Sequence, residues 1–381
     1  MIVILKPDTL PDGPEVAGVL REVERFPGLS ARLCEAPQGT SRRLVEIYLV
    51  GPTQGIPEAT FAELPCVERV VRVSQKYRLL GRHAAALASV GFEESGVRFD
   101  QDTLHVFAGL CAVDTPAHVE QTMAALGRLG LRTTRMGAYK PRTSPYDFQG
   151  LGFQCLPWVL DSAGKHGVRV IAMEVTHEAH LEEIRAARAR TGAPVGIMVQ
   201  IGTRNAQNFE LLKAVGQQRD FPVLVKRGMG ITLEESLNAC EYVASEGNRN
   251  IVFCLRGVKT HLGDPHRNFV DFSHVPVVHR LTRMPVCVDP SHSVGRRDRG
   301  PDGLLEIFHA TAQGVIAGAN MILVDVHPAP AAALCDGPQA LTLDELPRLI
   351  DDVAAVREAY EKRRALAGHP VPPEALGIQR V

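Results

Sequence analysis

Eight short apolar runs recur through residues 104–328: LHVFAGLC, RTTRMGA, VRVIAMEV, GIMVQIG, PVLVKRG, IVFCLRG, PVCVDPSH and MILVDVHP. They lie about 25 to 35 residues apart, each bounded by Gly, Pro or polar turn residues, with Ala- and Glu-rich helical segments between them. Strands that alternate with helices pair in parallel, and eight such units over about 260 residues predict an α/β fold closed as a (β/α)8 TIM barrel. The competitor is a doubly wound open sheet, but no glycine fingerprint follows the first run.

Residues 1–80 have a different rhythm. They read as strand IVIL, an amphipathic helix, strands ARLCEA and LVEIYLV, a short helix near ATFAEL and strand VERVVRV. Val16, Val19, Leu20, Val23 and Phe26 keep the i, i+3, i+4, i+7 spacing of a one-sided helix. The β-α-β-β-α-β order predicts a small ferredoxin-like α+β domain. It would precede a barrel domain over 81–381, and it reads either as a regulatory module or as an oligomerisation domain.

With 42 basic and 43 acidic residues the chain has no overall attraction for nucleic acid or an anionic membrane. No apolar run reaches the roughly 18 to 20 residues of a membrane span, and no charged segment precedes the short apolar start, so a cytoplasmic protein is expected. The eight cysteines are dispersed without CxxC spacing and read as reduced thiols.

Nearly every barrel run ends in a reactive side chain: Cys111, Lys140, Glu174, Arg204, Lys226, Arg256, His292 and Asp325 in chain order. A barrel gathers those strand ends on one face, where its active site forms. One group consists of metal-ligand types, Cys111, His292, Asp325 and, from the loop LCDGPQALT, Asp336. Thiolate, imidazole and carboxylates together suit a divalent transition ion, Mn2+, Fe2+, Co2+ or Zn2+, and not magnesium. Read singly, the same residues are a packed cysteine, a turn histidine and two helix-capping aspartates; their shared position at strand ends favours the site. The second group is cationic, Arg135, Lys140, Arg142, Arg204, Lys226, Arg227 and Arg256. Seven cations at one mouth of a nearly neutral protein imply a substrate with phosphates and a carboxylate. Lys140 and Lys226 also admit a Schiff-base role.

The segments GAYKPRTSPYDFQGLG, QIGTRNAQNFELL, VLVKRGMG, VDPSHSVGRRD and DGPQALT occur in order along the chain. On them it resembles the 3-deoxy-D-arabino-heptulosonate 7-phosphate (DAHP) synthases, of the type with an N-terminal ferredoxin-like regulatory domain. The resemblance implies metal-dependent condensation of phosphoenolpyruvate with erythrose 4-phosphate, the first step of the shikimate pathway. It further implies a homo-oligomer, dimer or tetramer, and an aromatic amino acid effector at the N-terminal domain. By position, Arg135, Lys140 and Lys226 resemble residues at the carboxylate and reacting end of phosphoenolpyruvate, and Arg204, Lys226 and Arg256 those at its phosphate. Arg142 and Thr143 resemble the site for the aldose phosphate. Cys111, His292 and Asp336 match the family's metal ligands, and Asp325 stands where the family has glutamate. Lys140 is then the candidate proton donor to the new hydroxyl, and Glu174 or His292 the candidate for activating water.

The chain departs from the family pattern in three places. GPCSVE becomes Gly109–Leu110–Cys111–Ala112–Val113–Asp114, CERG becomes Cys254–Leu255–Arg256–Gly257, and glutamate becomes Asp325. The lost methylene shortens the reach at Asp325 by roughly 1.5 Å, where metal bonds tolerate about 0.2 Å. Two other readings follow: a related synthase acting on another aldose phosphate, such as the enzymes that make 3-deoxy-octulosonate 8-phosphate, or a homologue kept for binding alone. The KPRTS segment speaks against the octulosonate reading.

Overall fold

The computed structural model describes residues 1–7, 9–37, 43–72, 77–82 and 91–369, in two units, Met1–Arg78 and Leu79–Val381. The first unit runs β1 (Ile2–Leu5), α1 (Pro14–Glu24), β2 (Ser30–Pro37), β3 (Arg43–Val50), α2 (Ala59–Ala62) and β4 (Val67–Val71). Its sheet is antiparallel in the order β2-β3-β1-β4, the ferredoxin-like arrangement expected from the element order. Val16, Val19 and Val23 of α1 are buried against Val3, Leu5, Ile47, Leu49 and Phe61, with Leu20 and Phe26 at the margin. The expected last strand, VERVVRV, ends at Val71; its final residue, Val73, lies outside the described residues.

The second unit opens with a hairpin that the sequence did not announce, β5 (Phe92–Glu94) against β6 (Val97–Phe99). The barrel follows. Its strands are β7 (His105–Leu110), β8 (Thr133–Met136), β9 (Val170–Val175), β10 (Gly196–Ile201), β11 (Val223–Lys226), β12 (Ile251–Leu255), β13 (Val286–Val288) and β14 (Met321–Asp325). All neighbours are parallel, and β14 pairs with β7 to close the ring, so the eight runs form the TIM barrel the sequence predicts. Helices α3 (Pro116–Arg128), α4 (Leu156–Lys165), α5 (Ala179–Thr191), α6 (Phe209–Gln217), α7 (Leu233–Ser245), α8 (Val275–Leu281), α9 (Pro290–Val294), α10 (Glu306–Ile316) and α11 (Leu346–Leu366) fill the intervals and the C-terminal segment. Thr115 caps α3 by accepting the His118 N–H, and Thr232 and Glu235 form a reciprocal capping box on α7.

Strand side chains alternate between faces, so one residue in two points into the barrel. Phe107, Ala172, Met198, Leu224, Cys254, Cys287, Met321 and Leu323 form that interior, and the hairpin's Phe92, Val97 and Phe99 close its floor. Phe99 packs on Phe92, Phe107 and the His105 ring with centroids 5.2, 6.1 and 4.7 Å away. Burial holds His105 neutral, pulling it down to about 4, and Nε2 donates to the Arg98 carbonyl at 2.7 Å.

Phe99→Ala is expected to cost about 3–5 kcal/mol through the cavity left under the barrel, read from urea unfolding midpoints. A loss below about 1 kcal/mol would show that the floor is not held by this ring.

Candidate active site

Followed upward, six inward rows pass from core to a polar side chain. Leu323 leads to Asp325, Ala172 to Glu174, Met198 to Gln200, Leu224 to Lys226, Cys254 to Arg256 and Cys287 to Asp289. Arg135 pairs in register with Gly109 and Ala172, and Asp325 with Gly109, so both share the inward parity. The carboxylate that ends an otherwise apolar strand is there because the barrel interior becomes the floor of a cleft at this level.

Cys111, His292, Asp325 and Asp336 each offer one ligand atom, all within 4.8 Å of one another. Cys111 Sγ lies 3.1 Å from Asp336 Oδ2 and 3.8 Å from His292 Nε2, and His292 Nε2 lies 3.5 Å from Asp336 Oδ2. Asp289 fixes the histidine: its Oδ1 accepts the backbone N–H of His292 at 3.0 Å, and its carboxylate holds Nδ1 at 3.0 Å, leaving Nε2 toward the cysteine. Asp336 adopts a left-handed backbone, φ 55°, in the loop after β14. Asp325 is engaged differently, since Arg135 donates to Oδ1 and Gln339 Nε2 donates to Oδ2 at 2.6 Å.

A cleft beside this cluster is lined by Lys140, Arg142, Thr143, Arg204, Lys226, Arg256, Glu174, His292 and Asp336. Two of the expected cations are absent from its lining. Arg135 is buried beneath it in the ion pair with Asp325. Arg227 points to the other side of its strand, donating to Asp271 Oδ2 at 2.7 Å and contacting His274 Nδ1 at 2.9 Å. Lys226, one residue earlier, faces inward and donates to Asp289 at 2.6 Å. Arg204 Nη2 donates to Thr143 Oγ1 at 3.2 Å, tying two loops across the mouth.

Lys140 Nζ stands 3.4 Å from both Glu174 Oε2 and Cys111 Sγ. Burial opposes its charge, but the Cys111 sulfur and the Glu174 carboxylate raise it above the ordinary lysine value. A raised ammonium is a poor Schiff-base nucleophile, which speaks against the imine reading for Lys140. Gln200 Nε2 also donates to Glu174 at 3.4 Å, and Gly202 makes room for that carboxylate, because a Cβ there would sit 1.8 Å from Oε1. Arg256 is buried with Nε and Nη1 unpartnered among the described residues, and burial lowers it.

Several participants were not anticipated from the sequence: Asp289, Gln200, Arg267, Cys335 and Gln339. Arg267 donates to Asp336 Oδ1 and to Gln339 Oε1, both at 2.9 Å. Cys335 Sγ lies 4.0 Å from Cys111 Sγ and 3.3 Å from Asp336 Oδ2. Beside the cleft, Asp114 gathers two histidines, with His118 Nδ1 and His327 Nε2 each 2.9 Å from Oδ2. His327 Nδ1 accepts the Ala329 N–H at 3.0 Å, so its Nε2 carries the proton given to Asp114.

Residues 89–361 match the model of the DAHP synthetase I family. Over 359 residues the chain is 35% identical to the phospho-2-dehydro-3-deoxyheptonate aldolase of Thermotoga maritima, covering 94% of this chain and 98% of that protein. It is 28% identical over 269 residues to the 2-dehydro-3-deoxyphosphooctonate aldolase of Geobacter sulfurreducens, covering 66% of this chain and 92% of the relative. The crystal structure of the Thermotoga maritima phospho-2-dehydro-3-deoxyheptonate aldolase (DAHP synthase) aligns with TM-score 0.67 at 32% identity, over 97% of this chain and 98% of that one. A truncated form of the 3-deoxy-D-arabino-heptulosonate 7-phosphate synthase of Thermotoga maritima aligns with TM-score 0.62 at 31% identity, over 78% and 99%.

His292 is buried, which opposes its charge, yet Asp289 and then Asp325 push it from 6.5 up to about 10. Its stabilising charge in the metal-free protein is therefore complete below pH 6.5 and lost as pH rises to about 10. The melting-temperature gap between wild type and His292→Asn should narrow across that interval; a constant gap would show a neutral imidazole throughout.

Proposed function

We propose that this chain, which belongs to the DAHP synthetase I family, condenses phosphoenolpyruvate with erythrose 4-phosphate and water. The products are 3-deoxy-D-arabino-heptulosonate 7-phosphate and phosphate, the first step of the shikimate pathway. The observation that carries this reading is the buried guanidinium of Arg256, with Nε and Nη1 unpartnered among the described residues, lining with Lys226 a cleft beside a sulfur, nitrogen and oxygen donor cluster. A buried cation with free donors is costly unless an anion arrives to meet it.

Arg256, Lys226 and Arg204 bind the phosphate of phosphoenolpyruvate. Arg142 and Thr143 bind that of the aldose, with Arg204 joining the two regions through Thr143. Carbon 3 of phosphoenolpyruvate attacks the aldehyde carbon, water adds at carbon 2, and phosphate leaves. Lys140 and Glu174 face each other at 3.4 Å, a proton donor for the new hydroxyl beside an acceptor for the proton lost by water. His292 is held through Nδ1 by Asp289 and does not need to move during these transfers. The donor types fit a divalent transition ion held by Cys111, His292 and Asp336, and the ion supplies polarisation of the aldehyde oxygen when bound. We assign the N-terminal unit to binding an aromatic amino acid inhibitor within a homo-oligomer, supported by its ferredoxin-like topology and by the alignment of nearly the whole chain with the Thermotoga maritima protein.

The decisive measurement is phosphate release and phosphoenolpyruvate loss with erythrose 4-phosphate, with and without EDTA. Turnover abolished by EDTA is expected. Turnover with arabinose 5-phosphate instead would favour the octulosonate reaction, and none with either sugar and any of the four metals would leave a binding homologue. In the active enzyme Arg256→Ala should raise KM for phosphoenolpyruvate roughly 10- to 100-fold, the loss of one or two charge-assisted hydrogen bonds, in steady-state kinetics.

A further inference from the structure

We infer that Cys335 is a metal ligand in this chain, standing in for the carboxylate at Asp325, so that the donor set is Cys111, Cys335, His292 and Asp336. The inference rests on the metal site just proposed and changes its composition. Three observations carry it.

Asp325 is already committed. Its Oδ1 is taken by the buried Arg135 and its Oδ2 by Gln339 Nε2 at 2.6 Å, while Ser291 Oγ holds its backbone N–H at 2.9 Å. The approach of Oδ2 to the histidine, 3.7 Å, is to Nδ1 and not to the Nε2 that faces Cys111 and Asp336. To ligate beside Nε2, the Asp325 carboxylate would have to give up its bonds to Arg135 and Gln339.

Cys335 brings a second sulfur up to two of the other donors, Cys111 and Asp336. Metal bonds of about 2.3 Å to sulfur and 2.0–2.1 Å to nitrogen or oxygen, set tetrahedrally, separate two sulfurs by about 3.8 Å, sulfur from nitrogen or oxygen by about 3.5 Å, and nitrogen from oxygen by about 3.4 Å. Five of the six separations among these donors compare with those values: 4.0 Å between the two sulfurs, 3.1 and 3.3 Å from Asp336 Oδ2 to Cys111 and Cys335, 3.8 Å from Cys111 to His292 Nε2, and 3.5 Å from Nε2 to Asp336. Cys335 immediately precedes Asp336, whose backbone is left-handed, and the two side chains meet at 3.3 Å. The sulfur is also the acceptor of a 2.7 Å hydrogen bond from Arg142 Nη1, a contact that suits a thiolate. Two thiolates, one imidazole and one carboxylate select softer ions, zinc or ferrous iron, over manganese.

Cobalt is the probe. Metal-free wild type, Cys335→Ser, Cys111→Ser and Asp325→Asn are titrated with Co2+ without oxygen, and the sulfur-to-cobalt charge-transfer band in the near ultraviolet is read. The inference expects the band to fall by about half in each cysteine variant, one thiolate of two lost, and to keep its intensity in Asp325→Asn. A band unchanged in Cys335→Ser but lost in Cys111→Ser overturns the inference and leaves the proposed site intact. No band in wild type overturns both.

Discussion

A closed ring of eight parallel strands leaves each residue two directions, into the barrel or out to the helices, and the site follows from that restriction. Six inward rows carry apolar residues for most of their length and then an ionisable or amide side chain at the last inward position. Packing below demands apolar groups, because a barrel of this size has no room for water. Above, the same rows open into the cleft, where charge is tolerated. The transition happens within two residues on each strand, so Asp325, Glu174 and Lys226 inherit rigid backbones from the core beneath them.

These charges are buried and therefore stand only as sets. Arg135 is held above its ordinary value despite burial, by Asp325 first, and Asp336 far below its own, with His292 and Arg267 outweighing burial. Lys226 with Asp289 and Lys140 with Glu174 extend the pattern. Each pair restrains the side chains it joins, so the walls of the cleft are held by charge pairing as well as by packing. Arg256 is the exception, with Nε and Nη1 unpartnered among the described residues, and this is the feature on which the proposed anion site rests.

The barrel was legible because buried parallel strands read as continuous apolar runs, and the donor types at their ends were legible because they break those runs. Strands β5 and β6 were not, since three residues each are too few to show a period. Arg227 was grouped with Lys226 because the two adjoin, yet neighbouring strand residues face opposite ways, and only the parity of Leu224 and Lys226 separates them. The same parity, extended two residues beyond Met198 and Cys287, would have found Gln200 and Asp289. Cys335 gave no signal, because a buried cysteine in an apolar loop looks like packing. Arg267 gave none either, its role being set by the fold of a long loop.

The seam where β14 meets β7 has a consequence for how the protein is made. Cys111 leaves the first barrel strand, His292 follows the seventh, and Asp336 follows the eighth, so the donors come together only when the ends of the sheet join. Asp114 adds a clasp across the same seam, binding His327 just beyond the last strand. A chain that has not yet reached β14 lacks Asp336, so the proposed donor set is incomplete until the last strand is made. The proposed donor set is therefore a product of barrel closure and not of any one segment of the chain.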